Sequence, residues 1–96
     1  MRIARVVGSA VSTAKEASLV GHKLLRVQEA DETGEATGPV QVAVDAVGAG
    51  TGELVMVSEG SAARQTGTTG NQPVDAVIMG ILDSLEVGGS VTFRKE

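Results

Sequence analysis

Residues 45–64, DAVGAGTGELVMVSEGSAAR, constrain this chain more than any other stretch. A Gly-x-Gly-x-Gly turn at Gly48, Gly50 and Gly52 leads into a short apolar run, which ends in a tight Gly-Ser-Ala-Ala-Arg loop. Glycine supplies backbone shapes that other residues resist. The segment therefore spends its residues on geometry. It holds no nucleophile–base pair, no cluster of metal-ligating side chains and no basic stripe.

The Gly48–Gly52 motif is a poor match to a nucleotide loop. A dinucleotide fingerprint opens a helix whose N-terminus holds the pyrophosphate. Here the glycines open ELVMVS, which reads as a strand, and the lysine of a P-loop is missing. A hairpin turn needing positive φ is the better account. No cofactor is expected.

The strand signals recur at roughly ten-residue intervals. Ile3–Val11 is apolar and β-branched, with Gly8 marking a bulge or a close approach. Lys23–Glu29 places Leu25 and Val27 on one face. Asp31–Pro39, DETGEATGP, is turn chemistry. Val40–Val47 alternates with period two, and Val40, Val42 and Val44 are expected inward with Gln41, Ala43 and Asp45 outward. Glu53–Ser58 is the next strand. Glu59–Ala63 is a tight loop with room for one helical turn. Val91 and Phe93 mark a last short strand after Gly88-Gly89.

Residues 73–87 read two ways. Val74, Val77, Ile78, Ile81, Leu82 and Leu85 form a helical stripe, and Pro73 suits a first helical position. A continuous apolar run is also the signature of a strand buried on both sides. The surrounding strands favour a small barrel.

The 96 residues form one domain, 1–96. They include one aromatic, Phe93, so the core is built from valine and alanine. Aromatics bury the most area per residue. A small core of small side chains predicts that further apolar surface is buried between copies of the chain. The net charge of −4, with scattered basic residues, argues against nucleic acid and anionic membrane as partners. The N-terminus is a poor signal peptide and no run is long enough to span a membrane, so a cytoplasmic location is expected.

No catalytic or metal site emerges. His22 stands alone, and acid–base or metal chemistry needs partners. Asp45, Asp75 and Asp83 suit capping or ion pairing, with Arg64 the natural partner. Ser61 lacks a nucleophile elbow. Arg94-Lys95-Glu96 reads as a solvated end.

Motifs along the whole chain resemble one family. The opening Met1-Arg-Ile-Ala-Arg-Val, Ser12-Thr13, Ser18-Leu19 and Gly21-x-Lys23-Leu24-Leu25-x-Val27 come first. Asp45-x-Val47-Gly-Ala-Gly50-x-Gly52-Glu53 and Val57-Ser-x-Gly60-Ser-Ala-Ala-Arg64 form the most distinctive block. Pro73-Val-Asp75-Ala and Ile81-Leu-Asp83 follow. In this order and at these separations they resemble the bacterial microcompartment vertex proteins, the EutN/CcmL (BMC-P) family.

The resemblance implies a mainly β fold: a small OB-like five-stranded barrel with a short helical turn and a C-terminal strand. It makes Ala76–Val87 a strand, preceded by a turn at Pro73–Asp75. It also implies a structural protein, not an enzyme, in the form of a homopentamer that caps the corners of a microcompartment shell tiled by hexameric shell proteins. Crowding at a five-fold axis demands small residues, which makes Gly60, Ser61 and Ala62 the expected axial loop. Arg64, with Asp75 and Asp83, is expected at an interface or bracing a loop. With nothing beyond Glu96, no cargo-binding tail is expected. The rival readings are an OB-fold nucleic-acid binder, which the acidic charge and single aromatic oppose, and a small ligand-binding barrel.

Overall fold

A computed structural model describes residues 1–11, 22–60 and 75–95. Among these are seven strands: β1 (Arg2–Ser9), β2 (Leu24–Ala30), β3 (Ala36–Asp45), β4 (Leu54–Glu59), β5 (Ala76–Ile81), β6 (Ser84–Val87) and β7 (Ser90–Arg94). The first five close into a barrel in the order β1-β2-β3-β5-β4, while β6 and β7 form a separate hairpin. The barrel ladders are antiparallel except β3 with β5. The five-stranded barrel agrees with the sequence reading. No α-helix occurs among the described residues, and Gly60 alone has the 3-10 conformation of a tight turn; the segments expected to carry a helical turn, 59–63 and 73–75, lie largely outside them.

The barrel interior is filled by one or two small side chains from each strand. Ala4, Val6, Leu25, Val27, Ala43, Val55, Val57, Ala76 and Ile78 are all buried in a single cluster. Phe93, the lone aromatic, is not in that cluster. At the expected Gly8 position, the β1–β2 register shifts between Val6 and Gly8.

The structure inverts the expected phase of β3. Leu25 pairs with Ala43 and Val27 with Gln41. Directly paired residues share a face, and Leu25 and Val27 face the core. Ala43 and Gln41 must therefore face it too. Val40 and Val42 turn outward and are 47% and 51% exposed. Val44 also lies on the outer face, yet it is buried. It pairs with Leu24 and Val77, and these three form a second apolar cluster outside the barrel.

β3 also begins earlier than its alternation suggests, at Ala36, and runs through Gly38 and Pro39. A side chain at Gly38 would put its Cβ 2.7 Å from Glu29 Cβ. The missing side chain allows β2 and β3 to stay paired through a register shift there.

Residues 76–87 are strand, but not one strand. Ala76, Val77 and Ile78 are consecutively buried because Ala76 and Ile78 face the barrel core while Val77, on the outer face, packs with Val44 and Leu24. That two-sided burial produces the apolar run that also mimics a helical stripe. The expected single strand Ala76–Val87 breaks at Leu82 and Asp83. There the Leu82 N–H donates to the Leu54 carbonyl, ending the barrel ladder, and the Asp83 carbonyl accepts from the Lys95 N–H.

Candidate functional site and assembly surface

The Gly-rich block is not a hairpin. β5 separates β3 from β4 in the sheet, so residues 46–53 cross from one strand to a non-neighbour. Two carboxylates shape this crossing. Asp45, whose side chain is 1% exposed, accepts the N–H groups of Val47 and Gly48 on Oδ1, both at 3.1 Å. Its Oδ2 accepts Ala49 N–H at 3.0 Å. Glu53 Oε1 accepts Gly50 N–H at 2.7 Å. Lys23 Nζ lies 3.7 Å from Asp45 Oδ2 and donates to the Ala49 carbonyl at 2.9 Å.

The loop is sewn to β1 by the Gly52 N–H donating to the Val6 carbonyl and the Val6 N–H donating to that of Glu53. Ala49 is wholly buried in the barrel core. The block thus closes one end of the barrel. Gly48 and Gly52 take φ of +78° and +92°, whereas Gly50 does not take positive φ. The polar groups of this loop are directed at its own backbone, which is scaffold chemistry.

The C-terminal hairpin is anchored beside it. Arg5 Nη1 donates to the Gly52 carbonyl and Nη2 to that of Gly34, each at 2.7 Å. The guanidinium carbon sits 5.6 Å from the Phe93 ring centroid. Gly34 is required here: its φ is +83°, and a Cβ would lie 2.9 Å from Phe93 Cδ1. Thr92 Oγ1 donates to the Glu32 carbonyl at 2.6 Å. Lys95 Nζ donates to Glu53 Oε2 at 2.8 Å, so Lys95, although exposed as expected of a solvated end, is also a tether.

That contact holds the Glu53 carboxyl below its usual range, helped by the Gly50 N–H, and raises Lys95 above the usual lysine range. Nearby, the Thr33 hydroxyl lowers Asp31, with further help from the N–H groups of Thr33 and Glu35. Between barrel and hairpin lies an open cleft of about 430 Å³, lined by Arg5, Gly52, Glu53, Leu54, Phe93 and Lys95 among others.

Several sequence-predicted residues fall elsewhere. Ser61, Ala62 and Arg64 lie outside the described residues. Gly60 is exposed at the end of β4 with φ +63°, and its N–H donates to the Asp75 carbonyl at 2.8 Å. Asp75 and Asp83 are both exposed. Asp83 adds to the field that raises Lys95. His22 is half-buried just before β2. Among the described residues, no group of three or more His, Cys, Asp or Glu is placed to hold a metal ion.

What sequence reasoning missed is Arg5, Glu53 and Lys95 as the fasteners of the hairpin, and the outward valines. The separations of 47 and 42 residues across these contacts leave no local signal.

The family described as "Ethanolamine utilisation protein EutN/carboxysome" matches residues 1–83. The carboxysome shell vertex protein CcmL of Gloeobacter violaceus is 46% identical over 96 residues, covering 100% of this chain and 96% of that protein. Its solved structure superposes with a TM-score of 0.92 over 99% of this chain and 98% of that one. The microcompartment shell vertex protein EutN of Salmonella typhimurium is 42% identical over 95 residues, covering 99% of this chain and 96% of that protein. GrpN of Rhodospirillum rubrum, solved as a pentameric microcompartment shell protein, is 46% identical with a TM-score of 0.83, covering 91% of this chain and 99% of that one. With the family matched over residues 1–83 and the same barrel found in its solved relatives, this chain belongs to the EutN/CcmL family.

Proposed function

We propose that this chain is the vertex subunit of a bacterial microcompartment shell, assembling as a homopentamer. The observation that carries the reading is the end-to-end match, at 42–46% identity, to named shell vertex proteins. The pentameric state of GrpN supplies the stoichiometry. The function is geometric. A sheet of hexamers stays flat, and five-fold units at the corners introduce the curvature that closes it. Hexameric shell proteins are the proposed neighbours, and the shell in the cytoplasm is the proposed location. No catalytic role is proposed.

The physical character of the chain supports this. Its core is made of small side chains, and valines stand outward on β3 and on the hairpin. Both features favour burying more surface between copies. Within the pentamer we assign Gly60, Ser61 and Ala62 to the loop nearest the five-fold axis, and Arg64 with Asp75 or Asp83 to bracing that loop or the interface. A pentamer reconstruction with the loop on the outer rim rejects the first assignment. An Arg64→Ala protein that remains fully pentameric rejects the second.

The deciding experiment is native mass spectrometry of the purified protein. A dominant species of five chains is expected. A monomer at all micromolar concentrations sinks the reading. Co-expression with hexameric shell proteins adds a second readout: closed polyhedra with this chain, open or elongated assemblies without it.

A further inference from the structure

The hairpin β6–β7 pairs with itself and with no barrel strand. A lone two-stranded hairpin is marginal in water. Its root is fastened through Phe93, Thr92 and Lys95. Among the described residues its outer half has no such support. Glu86, Val87, Ser90 and Val91 are all exposed. The turn between the strands is nonetheless well formed, with Gly88 and Gly89 at φ +56° and +85°. Positive φ at both central residues is the turn geometry that matches strand twist.

Two patches on the chain are complementary. Val91 pairs directly with Glu86, so the two share one face of the hairpin. On the barrel, Val42 pairs directly with Arg26 and shares its outer face. Val91 and Val42 are 49% and 51% exposed. The side chains of Arg26 and Glu86 are exposed, and neither forms a hydrogen bond or ion pair with any described residue. Among the described residues each patch is therefore a valine beside an unengaged charge, and the two charges are opposite. Val40, two residues along β3, extends the barrel patch. A closed ring requires this arrangement: a donor patch on one copy and a different acceptor patch on the next.

Resting on the pentamer reading above, we propose that the tip of the β6–β7 hairpin of one subunit docks on the outer face of β3 of the next. Val91 packs on Val40 and Val42, and Glu86 pairs with Arg26. The occupant of the β3 face is a second copy of this chain, because the chain itself carries the matching valine and the opposite charge.

The test uses charge reversal and an engineered cross-link on the full chain. Glu86→Arg and Arg26→Glu, each alone, set like charges against each other. Each is expected to weaken assembly by about a hundredfold or more, seen as monomer in native mass spectra at concentrations where the parent stays pentameric. The double reversal restores the pentamer, which also shows that the singles fold. The chain has no cysteine, so Val42→Cys with Val91→Cys reports this contact alone. Under oxidation it gives a ladder of linked chains ending at five. Singles that stay pentameric at the parent's dissociation limit, or a double cysteine protein that yields no linked chains, overturn the docking while leaving the pentamer intact. A monomeric parent overturns the pentamer reading instead, and the docking with it.

Discussion

The Asp45 carboxylate accepts the N–H of Ala49 at 3.0 Å, and the Ala49 methyl group sits wholly inside the barrel. One buried carboxylate thus holds the loop that closes the barrel end. It also accepts N–H groups from Val47 and Gly48. Removing it leaves three donors without their acceptor. Asp45→Ala is expected to destabilise the protein by about 2–4 kcal/mol. Asp45→Asn keeps one acceptor oxygen and turns an amide N–H₂ toward another N–H, so roughly half that loss is expected. Urea unfolding measures both. A change under about 0.5 kcal/mol for Asp45→Ala contradicts the capping role.

The anchor of the hairpin depends on an absent side chain. Gly34→Ala places a methyl group 2.9 Å from the Phe93 ring at a φ of +83°. Both strain and steric conflict follow, with an expected cost of about 2–3 kcal/mol. Phe93→Ala removes the ring from Arg5 without straining the backbone. It is expected to cost about 1–2 kcal/mol, since Phe93 is only half-buried and outside the core. Hydrogen exchange separates the cases from global unfolding: amides of β6 and β7 lose protection in both variants while those of β2 keep it.

The Glu53–Lys95 contact makes the hairpin root sensitive to pH. Glu53 is depressed, chiefly by Lys95, so its contribution is present above the usual carboxylate range and is lost as pH falls through its lowered value. Lys95 is raised, chiefly by Glu53, so its contribution is present below the usual lysine range and is lost as pH rises through its raised value. The tether is therefore intact across the neutral window and weakens at both ends. Chemical denaturation of the parent and of Glu53→Gln from about pH 7 down to about pH 3 tests the acid limb. The parent is expected to lose more stability than the variant over that span. Equal losses would remove Glu53 from the account.

Gly52 and Gly50 separate backbone strain from close packing. At Gly52 a Cβ meets nothing within 4 Å, but φ is +92°. Gly52→Ala is expected to cost about 1–2 kcal/mol from conformation alone. At Gly50 φ is not positive, and a Cβ would make ordinary contact 3.5 Å from Glu53 Oε1. Gly50→Ala is expected to stay within about 0.5 kcal/mol of the parent. Equal effects of the two substitutions on thermal unfolding would contradict this.

Much of the barrel was legible because strand signals are local. Alternation in β2, the first half of the turn chemistry read at residues 31–39 and the bulge at Gly8 each arise from a few neighbouring residues. The scarcity of aromatic side chains, read from composition, already pointed to burial between copies. The order of motifs along the chain carried the family.

What the chain could not state in one dimension was decided by pairing. Period two defines which residues of β3 share a face, but not which face is inside. That was settled by register against Leu25 and Val27, and it turned Val40 and Val42 outward. The apolar run at residues 76–87 became two strands, and at its start the core covers one face while Val44 and Leu24 cover the other, so burial on both faces erases alternation. The fasteners Arg5–Phe93 and Glu53–Lys95 join residues 88 and 42 positions apart. Local sequence determines what a segment can become; closing the barrel decides which distant segments meet, because only then is the entropy of bringing them together offset by the contacts they make.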